Sequence, residues 1–119
     1  MSYDISFRVK VGNTGEFIDI GMCDANITWN LREMICQSTG LEWKNEEDNG
    51  PCNEVVPKIQ HGLNQLIQYP NKYQKYEAEN GWGTIDGCKR FFKTILDDWH
   101  SCEEKYGPEV CKWLHFWIT

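Results

Sequence analysis

The sequence lacks a long apolar run and an excess of positive charge. No stretch approaches the ~20 consecutive apolar residues that a membrane-spanning helix needs. The 119 residues include 12 lysines and arginines against 18 aspartates and glutamates, which gives a net charge of −6. Because a protein that binds the nucleic-acid backbone directly needs a basic surface, we expect an acidic, soluble protein that contacts neither nucleic acid nor membrane.

Motifs that would identify an enzyme or a metal site are also missing. The six cysteines include no C-x-x-C pair, so no zinc site is expected. The sequence contains no G-x-S-x-G, no glycine-rich phosphate loop and no H-E-x-x-H. His100 lies at helical spacing from Asp97 and Glu104, but one helix face supplies too few ligands for a tight divalent site. We therefore expect a non-enzymatic protein without a cofactor or metal.

The N-terminal segment and the cysteines together predict a compartment. Residues 1–5 contain neither a basic segment nor an apolar one, so no secretory signal peptide is expected. In a reducing cytosol the six cysteines are expected to be free and mostly buried. The sequence thus predicts a cytoplasmic protein.

One domain over residues 1–119 is expected, because this length suits a single core. Two β-prone runs, 6–11 and 16–22, flank a turn rich in glycine and asparagine and predict an N-terminal hairpin. We interpret the tail, 113–118, as a strand that pairs with this hairpin, although its apolar residues also fit a helical face.

The middle of the chain predicts a short helix and a loop. Asn30 and Glu33 have the spacing of a capping box, and Gly40 supplies a C-terminal stop, so a helix is expected over about 31–39. Residues 42–54 hold five acidic residues, one lysine and an Asn-Gly-Pro turn. They predict a solvated acidic loop that buries nothing.

Two longer helices are predicted from apolar spacing. The first is expected to be capped by Asn53, to pack closely against a neighbour at Gly62 and to end before Pro70. The second is expected to begin after Thr84. Its buried face is expected to consist of Ile85, Cys88, Phe92, Ile95, Trp99 and Cys102. These elements predict an α+β fold, a small antiparallel sheet (the N-terminal hairpin plus the C-terminal strand) with about three helices packed on one face.

Two segments of similar composition form a candidate ligand site. Asn26-Ile27-Thr28-Trp29-Asn30 and Asn80-Gly81-Trp82-Gly83-Thr84 each place a Trp ring beside small polar groups just before a helix. Such a combination can hold a planar ligand, but helix caps with a Trp lid on the core predict the same residues. The candidate ligand-binding residues are Asn26, Trp29, Asn30, Asn80 and Trp82.

The distribution of charge provides a second candidate site. The net charge is −4 both in residues 42–54 and in residues 97–109. The last long helix carries its cations early and its acidic residues late, against the preference of the helix dipole. Acidic patches of this kind can bind a basic groove of a partner, although a solvated surface explains the same residues. The candidate partner-binding residues are Glu46, Glu47, Asp48, Asp97, Asp98, Glu103 and Glu104.

With the two Asn/Trp segments and the opening Ser2-Tyr3-Asp4-Ile5, most of the chain resembles small uncharacterised proteins of bacteriophages, prophages and mobile elements. The shared motifs are tied to no chemistry, so no residue role is carried over. The resemblance implies a context, because small acidic phage proteins often inhibit or act as decoys for host defence systems, as anti-CRISPR proteins do.

Two functional hypotheses follow. The first is a non-enzymatic phage-type protein in the bacterial cytoplasm that inhibits a host defence or nucleic-acid-processing protein, by placing its acidic patches on a basic surface. The alternative is a small-molecule binding module with a pocket for a nucleotide-like signal between the Asn/Trp turns. A homodimer is possible in either case.

Overall fold

Five strands form one antiparallel sheet in the computed structural model, which describes residues 1–119. The strands are β1 (Ser2–Lys10), β2 (Phe17–Asp19), β3 (Asn26–Thr28), β4 (Glu47–Pro51) and β5 (Leu114–Ile118). Four of them lie in the order β2-β1-β5-β4, and β3 pairs with the first residues of β1. The predicted hairpin and C-terminal strand are confirmed, whereas β3 and β4 were not predicted.

The centre of the sheet joins opposite ends of the chain. β1 and β5 are antiparallel neighbours, with Ile5 opposite Ile118 and Val9 opposite Leu114. Backbone hydrogen bonds of 2.8 and 2.9 Å extend this pairing to Asp4 and Thr119. The tail is therefore a central strand, and the helical interpretation of residues 113–118 is wrong.

The helices are three long elements and two short ones. They are α1 (Arg32–Thr39), α2 (Cys52–Gln68), α3 (Pro70–Tyr73), α4 (Ile85–Tyr106) and α5 (Pro108–Cys111), with 3-10 turns at Trp29–Leu31 and Gln74–Tyr76. α1, α2 and α4 are the three helices that the sequence predicts, so the α+β fold is confirmed. None of the helices has both the length and the apolar composition needed to cross a membrane.

One face of the sheet and the helices enclose the core. The six residues of the predicted α4 stripe are all buried, as expected. Phe7 of β1 meets Trp99 of α4 edge to face, with ring centroids 5.4 Å apart. Close packing at Gly62 is also confirmed, because a Cβ at this position would lie 2.5 Å from Cγ2 of Thr39 and 3.0 Å from Cε2 of Phe92.

Two of the predicted helix caps are wrong. The capping box at Asn30 and Glu33 does not form, because the chain enters α1 through a 3-10 turn in which Thr28 Oγ1 accepts the N–H of Asn30. Asn53 does not cap α2, because β4 runs directly into the helix and Pro51 occupies the cap position. Local sequence signals did not show how the chain enters either helix.

The prediction of a solvated loop over residues 42–54 is also wrong. Trp43 is only 1% exposed and contacts the rings of Tyr3, Phe91 and Phe116. β4 lies within this segment and pairs with β5. An acidic segment thus supplies both a core aromatic residue and the edge strand of the sheet.

Candidate functional site

The two Asn/Trp segments meet on one side of the molecule. A Cβ at Gly83 would lie 3.0 Å from two side-chain atoms of Leu31 and 3.5 Å from Cβ of Asn30. The missing side chain of Gly83 therefore allows the second segment to pack directly against the start of α1. As a result, segments more than fifty positions apart in sequence form one surface.

A depression of about 250 Å³ lies between the two segments. We call it the turn cleft, and it is lined by residues that include Ile27, Thr28, Leu31, Trp82, Gly87 and Arg90. The lining residues come from β3, from the 3-10 turn before α1, from the segment around Trp82 and from the first two turns of α4. A neighbouring depression of about 490 Å³ shares several of these residues and extends towards Asp24.

Two of the five candidate ligand-binding residues hold the fold together. Nδ2 of Asn26 donates to Asp4 Oδ1 at 2.6 Å, which ties β3 to β1. Nε1 of Trp29 donates to the carbonyl of Ser2 at 2.8 Å, and its ring stacks on Tyr3 with centroids 5.7 Å apart. These contacts account for both side chains, and Trp29 does not line the turn cleft.

Trp82 differs from Trp29 because nothing in the fold uses its ring. Asn80 Oδ1 accepts the backbone N–H of Trp82 at 3.0 Å and so fixes the turn. Trp82 is 73% exposed, and its indole makes neither a hydrogen bond nor an aromatic contact. A large apolar ring that is exposed at the rim of a cleft is free to stack on a ligand.

Arg90 is the cleft residue that sequence reasoning missed. It lies on the second turn of α4 and lines both the turn cleft and the depression beside it. No carboxylate lies within ion-pair distance of its guanidinium, whereas Lys89 pairs with Asp86 at 3.2 Å. The cations early in the last helix were the available signal, but they did not show which one faces the cleft.

The acidic residues of β4 are partly used within the fold. Asp48 is half-buried and lies 2.9 Å from Nδ1 of His115 on the adjacent strand. It also accepts the backbone N–H of Gly50 at 2.8 Å. Glu46 and Glu47 remain exposed. Only two of the three candidate acidic residues in this segment are therefore free surface charges.

The acidic residues of α4 form a more open group. Asp97 and Glu104 are exposed, and Glu104 lies 3.5 Å from the imidazole of His100. Asp98 and Glu103 are half-buried. Asp98 accepts the backbone N–H of Asp24 at 3.1 Å, which adds another carboxylate to this end of the helix.

The uncovered face of the sheet carries a cluster that the sequence did not reveal. Phe17 contacts the rings of His115 and Trp117, with centroids 5.2 Å apart in both pairs. The guanidinium of Arg8 lies 4.7 Å above the ring of Trp117. These side chains mainly cover one another, so the cluster stabilises the sheet and offers no open binding surface.

Three of the cysteines are held as protonated thiols, and the six do not form a metal site. Five of the six free thiols are buried. Burial raises the pKa of Cys23, Cys88 and Cys102 to about 12, so these groups stay protonated at neutral pH. Sγ of Cys102 lies 3.8 Å from Sγ of Cys111. No group of three or more His, Cys, Asp or Glu side chains is placed to hold a metal ion.

No protein-family model, curated protein or solved structure matches the chain. The functional interpretation therefore depends on the geometry of two surfaces. One is the turn cleft with Trp82 and Arg90, and the other is the acidic half of α4.

Proposed function

We propose that this protein is a non-enzymatic binding module that holds a planar, nucleotide-like ligand in the turn cleft. The observation that carries the proposal is the meeting of the two Asn/Trp segments around one depression, with an unused indole and an unpaired guanidinium at its edge. Small-molecule sites combine apolar surface with a few convergent polar groups in this way.

The lining residues supply complementary contacts for such a ligand. The ring of Trp82 offers a stacking surface at the rim. The hydroxyl of Thr28 accepts the N–H of Asn30, so its own proton remains available for a ligand oxygen. Arg90 presents a planar fork of donors that suits phosphate or carboxylate groups. Gly87 has no side chain and leaves the floor of the cleft open.

Binding without turnover is supported by the chemistry around the cleft. None of the lining residues is a histidine or a cysteine. The protonated state of Cys23, Cys88 and Cys102 also disfavours their use as nucleophiles. The turn cleft therefore supplies groups that can bind and orient a ligand. It does not supply a nucleophile paired with a base that would activate it.

The proposal can be tested by NMR of the six tryptophan indole N–H groups. Adenosine, guanosine, cytidine and uridine are titrated into the labelled protein. We expect at least one nucleoside to shift the Trp82 indole signal and the amides of Thr28 and Arg90. The Trp82→Ala variant should weaken that binding about tenfold, because stacking on one aromatic ring contributes ~1–3 kcal/mol per base.

Trp113→Ala is the matched control. Trp113 is also strongly exposed, at 65%, but it lies in a different, fully apolar depression beside Tyr106 and Val110. Its removal should leave nucleoside binding unchanged. Shifts centred on Trp113, or equal affinity of the Trp82→Ala variant and the unaltered protein, would overturn the proposal.

A second candidate function has its own structural support. The Asp24–Asp98 contact enlarges the acidic group of α4 to five carboxylates, with Asp97, Glu103 and Glu104. Such a surface suits a partner with a basic groove. In the phage context that the resemblance implies, this partner would be a host defence or nucleic-acid-processing protein that the acidic group inhibits.

This second function predicts electrostatic steering. A variant that combines Asp97→Asn, Glu103→Gln and Glu104→Gln leaves the Asp98 hydrogen bond intact. The association rate of this variant with a bacterial protein that co-purifies with the chain should be lower than that of the unaltered protein. The rate of the unaltered protein should also fall in 1 M salt, because the Debye length shrinks from ~10 Å at 0.1 M to ~3 Å at 1 M. An association rate indifferent to both changes would exclude the acidic surface as the steering element.

A further inference from the structure

We propose that the ligand of the turn cleft carries at least two phosphate groups, and that these lie along the first half of α4, over Arg90 and Lys93. This inference rests on the proposed function and names the chemical class of the ligand, a nucleoside polyphosphate.

Arg90 connects the turn cleft to a third depression. That depression, of about 280 Å³, lies between α2 and α4 and is lined by Leu63, Ile67, Asp86, Lys89, Arg90 and Lys93. Since Arg90 also lines the turn cleft, the two depressions adjoin each other at its side chain. A ligand that stacks on Trp82 would reach Lys93 by passing over the side chain of Arg90.

The charges in the first half of α4 favour the binding of anionic groups. Lys89 is compensated by Asp86, but Arg90 and Lys93 have no carboxylate within ion-pair distance. They are three positions apart, which puts them on neighbouring turns of one helix face, ~4.5 Å apart along the axis. Their number and spacing suit more than one phosphate.

The acidic residues near the turn cleft determine on which side of it the phosphates of the ligand can lie. Asp24 lines the neighbouring depression, which does not include Lys93, and would repel a phosphate there. Asp86 lines the same depression as Lys93, but it is paired with Lys89. The carboxylate of Glu77 accepts the N–H of Ile85, and Thr84 accepts the N–H of Gly87, so two of the first three backbone donors of α4 are already used. We therefore assign the phosphates to the side chains of Arg90 and Lys93, which have no carboxylate partner.

The test compares adenosine, AMP, ADP and ATP by calorimetry and by the Trp82 indole signal, with inorganic tripolyphosphate as a separate arm. We expect ADP and ATP to bind at least tenfold more tightly than adenosine. Lys93→Gln should remove most of that gain without changing the affinity for adenosine. Lys10→Gln, which alters an exposed lysine on β1, is the matched control and should have no effect.

The outcomes separate the two proposals. If adenosine binds and the phosphates add less than twofold, or if Lys93→Gln changes nothing, the phosphate inference is wrong and the proposed function stands. If no compound of the series shifts Trp82, the proposed function is wrong and the inference fails with it. If tripolyphosphate binds as tightly as ATP without shifting Trp82, the cations form a phosphate site, and the planar ligand of the proposed function is excluded.

Discussion

Replacement of Gly62 by alanine should destabilise the protein, although the same change stabilises most helices. Alanine is favoured over glycine by ~1 kcal/mol inside a helix. In α2, however, the new Cβ would lie 2.5 Å from Cγ2 of Thr39 and 3.0 Å from Cε2 of Phe92, and both neighbours are buried. Carbon atoms need roughly 3.5–4 Å, so α1 and α2 must separate by about 1 Å.

The two effects can be compared directly. Overpacking a core costs ~1–3 kcal/mol, and a contact of 2.5 Å calls for the upper part of this range. The cost then outweighs the gain in helix propensity of ~1 kcal/mol and leaves a net loss of about 1–2 kcal/mol. For a domain of this size that loss corresponds to a fall in Tm of roughly 4–8 °C. Chemical and thermal denaturation of Gly62→Ala would measure it. A Tm above that of the unaltered protein would refute the close contact between α1 and α2.

A second substitution isolates the responsible contact. Thr39→Ser removes the methyl group that blocks the new Cβ but keeps the hydroxyl, which donates to the carbonyl of Ile35 at 2.6 Å. In this background Gly62→Ala should cost at least 1 kcal/mol less, as a double-mutant cycle would show. Ser101→Ala, at an exposed position of α4, is the control for helix propensity and should stabilise slightly.

Other predictions concern the core and the thiols. Phe92→Ala should lower the free energy of unfolding by ~3–5 kcal/mol in a denaturant titration, and a loss below about 1 kcal/mol would contradict its central position. Thiol titration of the denatured, unreduced protein should count six groups. In the native protein only Cys36 should react quickly, because it is the one cysteine that is not buried. Fast labelling of several native thiols would argue against this packing. Burial raises the pKa of Cys23 and Cys88 from 9.0 to about 12, so between these values the unfolded chain loses protons that the folded chain keeps. The free energy of unfolding should therefore fall as the pH rises from 9 towards 12, and equal stability at pH 8 and pH 10.5 would count against the shift.

The features that the sequence predicted correctly are those with local signals. The buried stripe of α4 repeats at helical spacing, and its N-terminus is marked by Thr84, whose hydroxyl accepts the N–H of Gly87. Gly40 ends α1 in a left-handed conformation, as expected for a helix stop. Each of these features is determined by residues within a few positions of one another.

β4 was missed because nothing in its own sequence favours a strand. Residues 47–51 alternate in neither hydrophobicity nor burial, and they contain a glycine and a proline. Their conformation depends on pairing with β5 and on the contact between Asp48 and His115, which are 67 positions apart. A segment that forms a strand only through distant partners cannot be recognised from composition.

The candidate site was only partly predictable, because some of its features depend on local composition and others on distant contacts. The composition of the two Asn/Trp segments identified both walls of the turn cleft. Sequence could not show that Trp29 is used to hold β3 while Trp82 remains free, since the difference lies in a hydrogen bond to Ser2. Nor could it place Arg90 in the cleft, because its position depends on how α4 packs against β3.

The pairing of β1 with β5 constrains when the protein can fold during synthesis. β1 is synthesised more than one hundred residues before its central neighbour β5, with Ile5 opposite Ile118. Until β5 emerges, the apolar side of β1 lacks that neighbour and is open to chaperones or to aggregation. Loop closure across nearly the whole chain also slows folding. The protein therefore assembles its sheet only after translation of β5, and premature termination before residue 114 yields a chain that cannot complete its core.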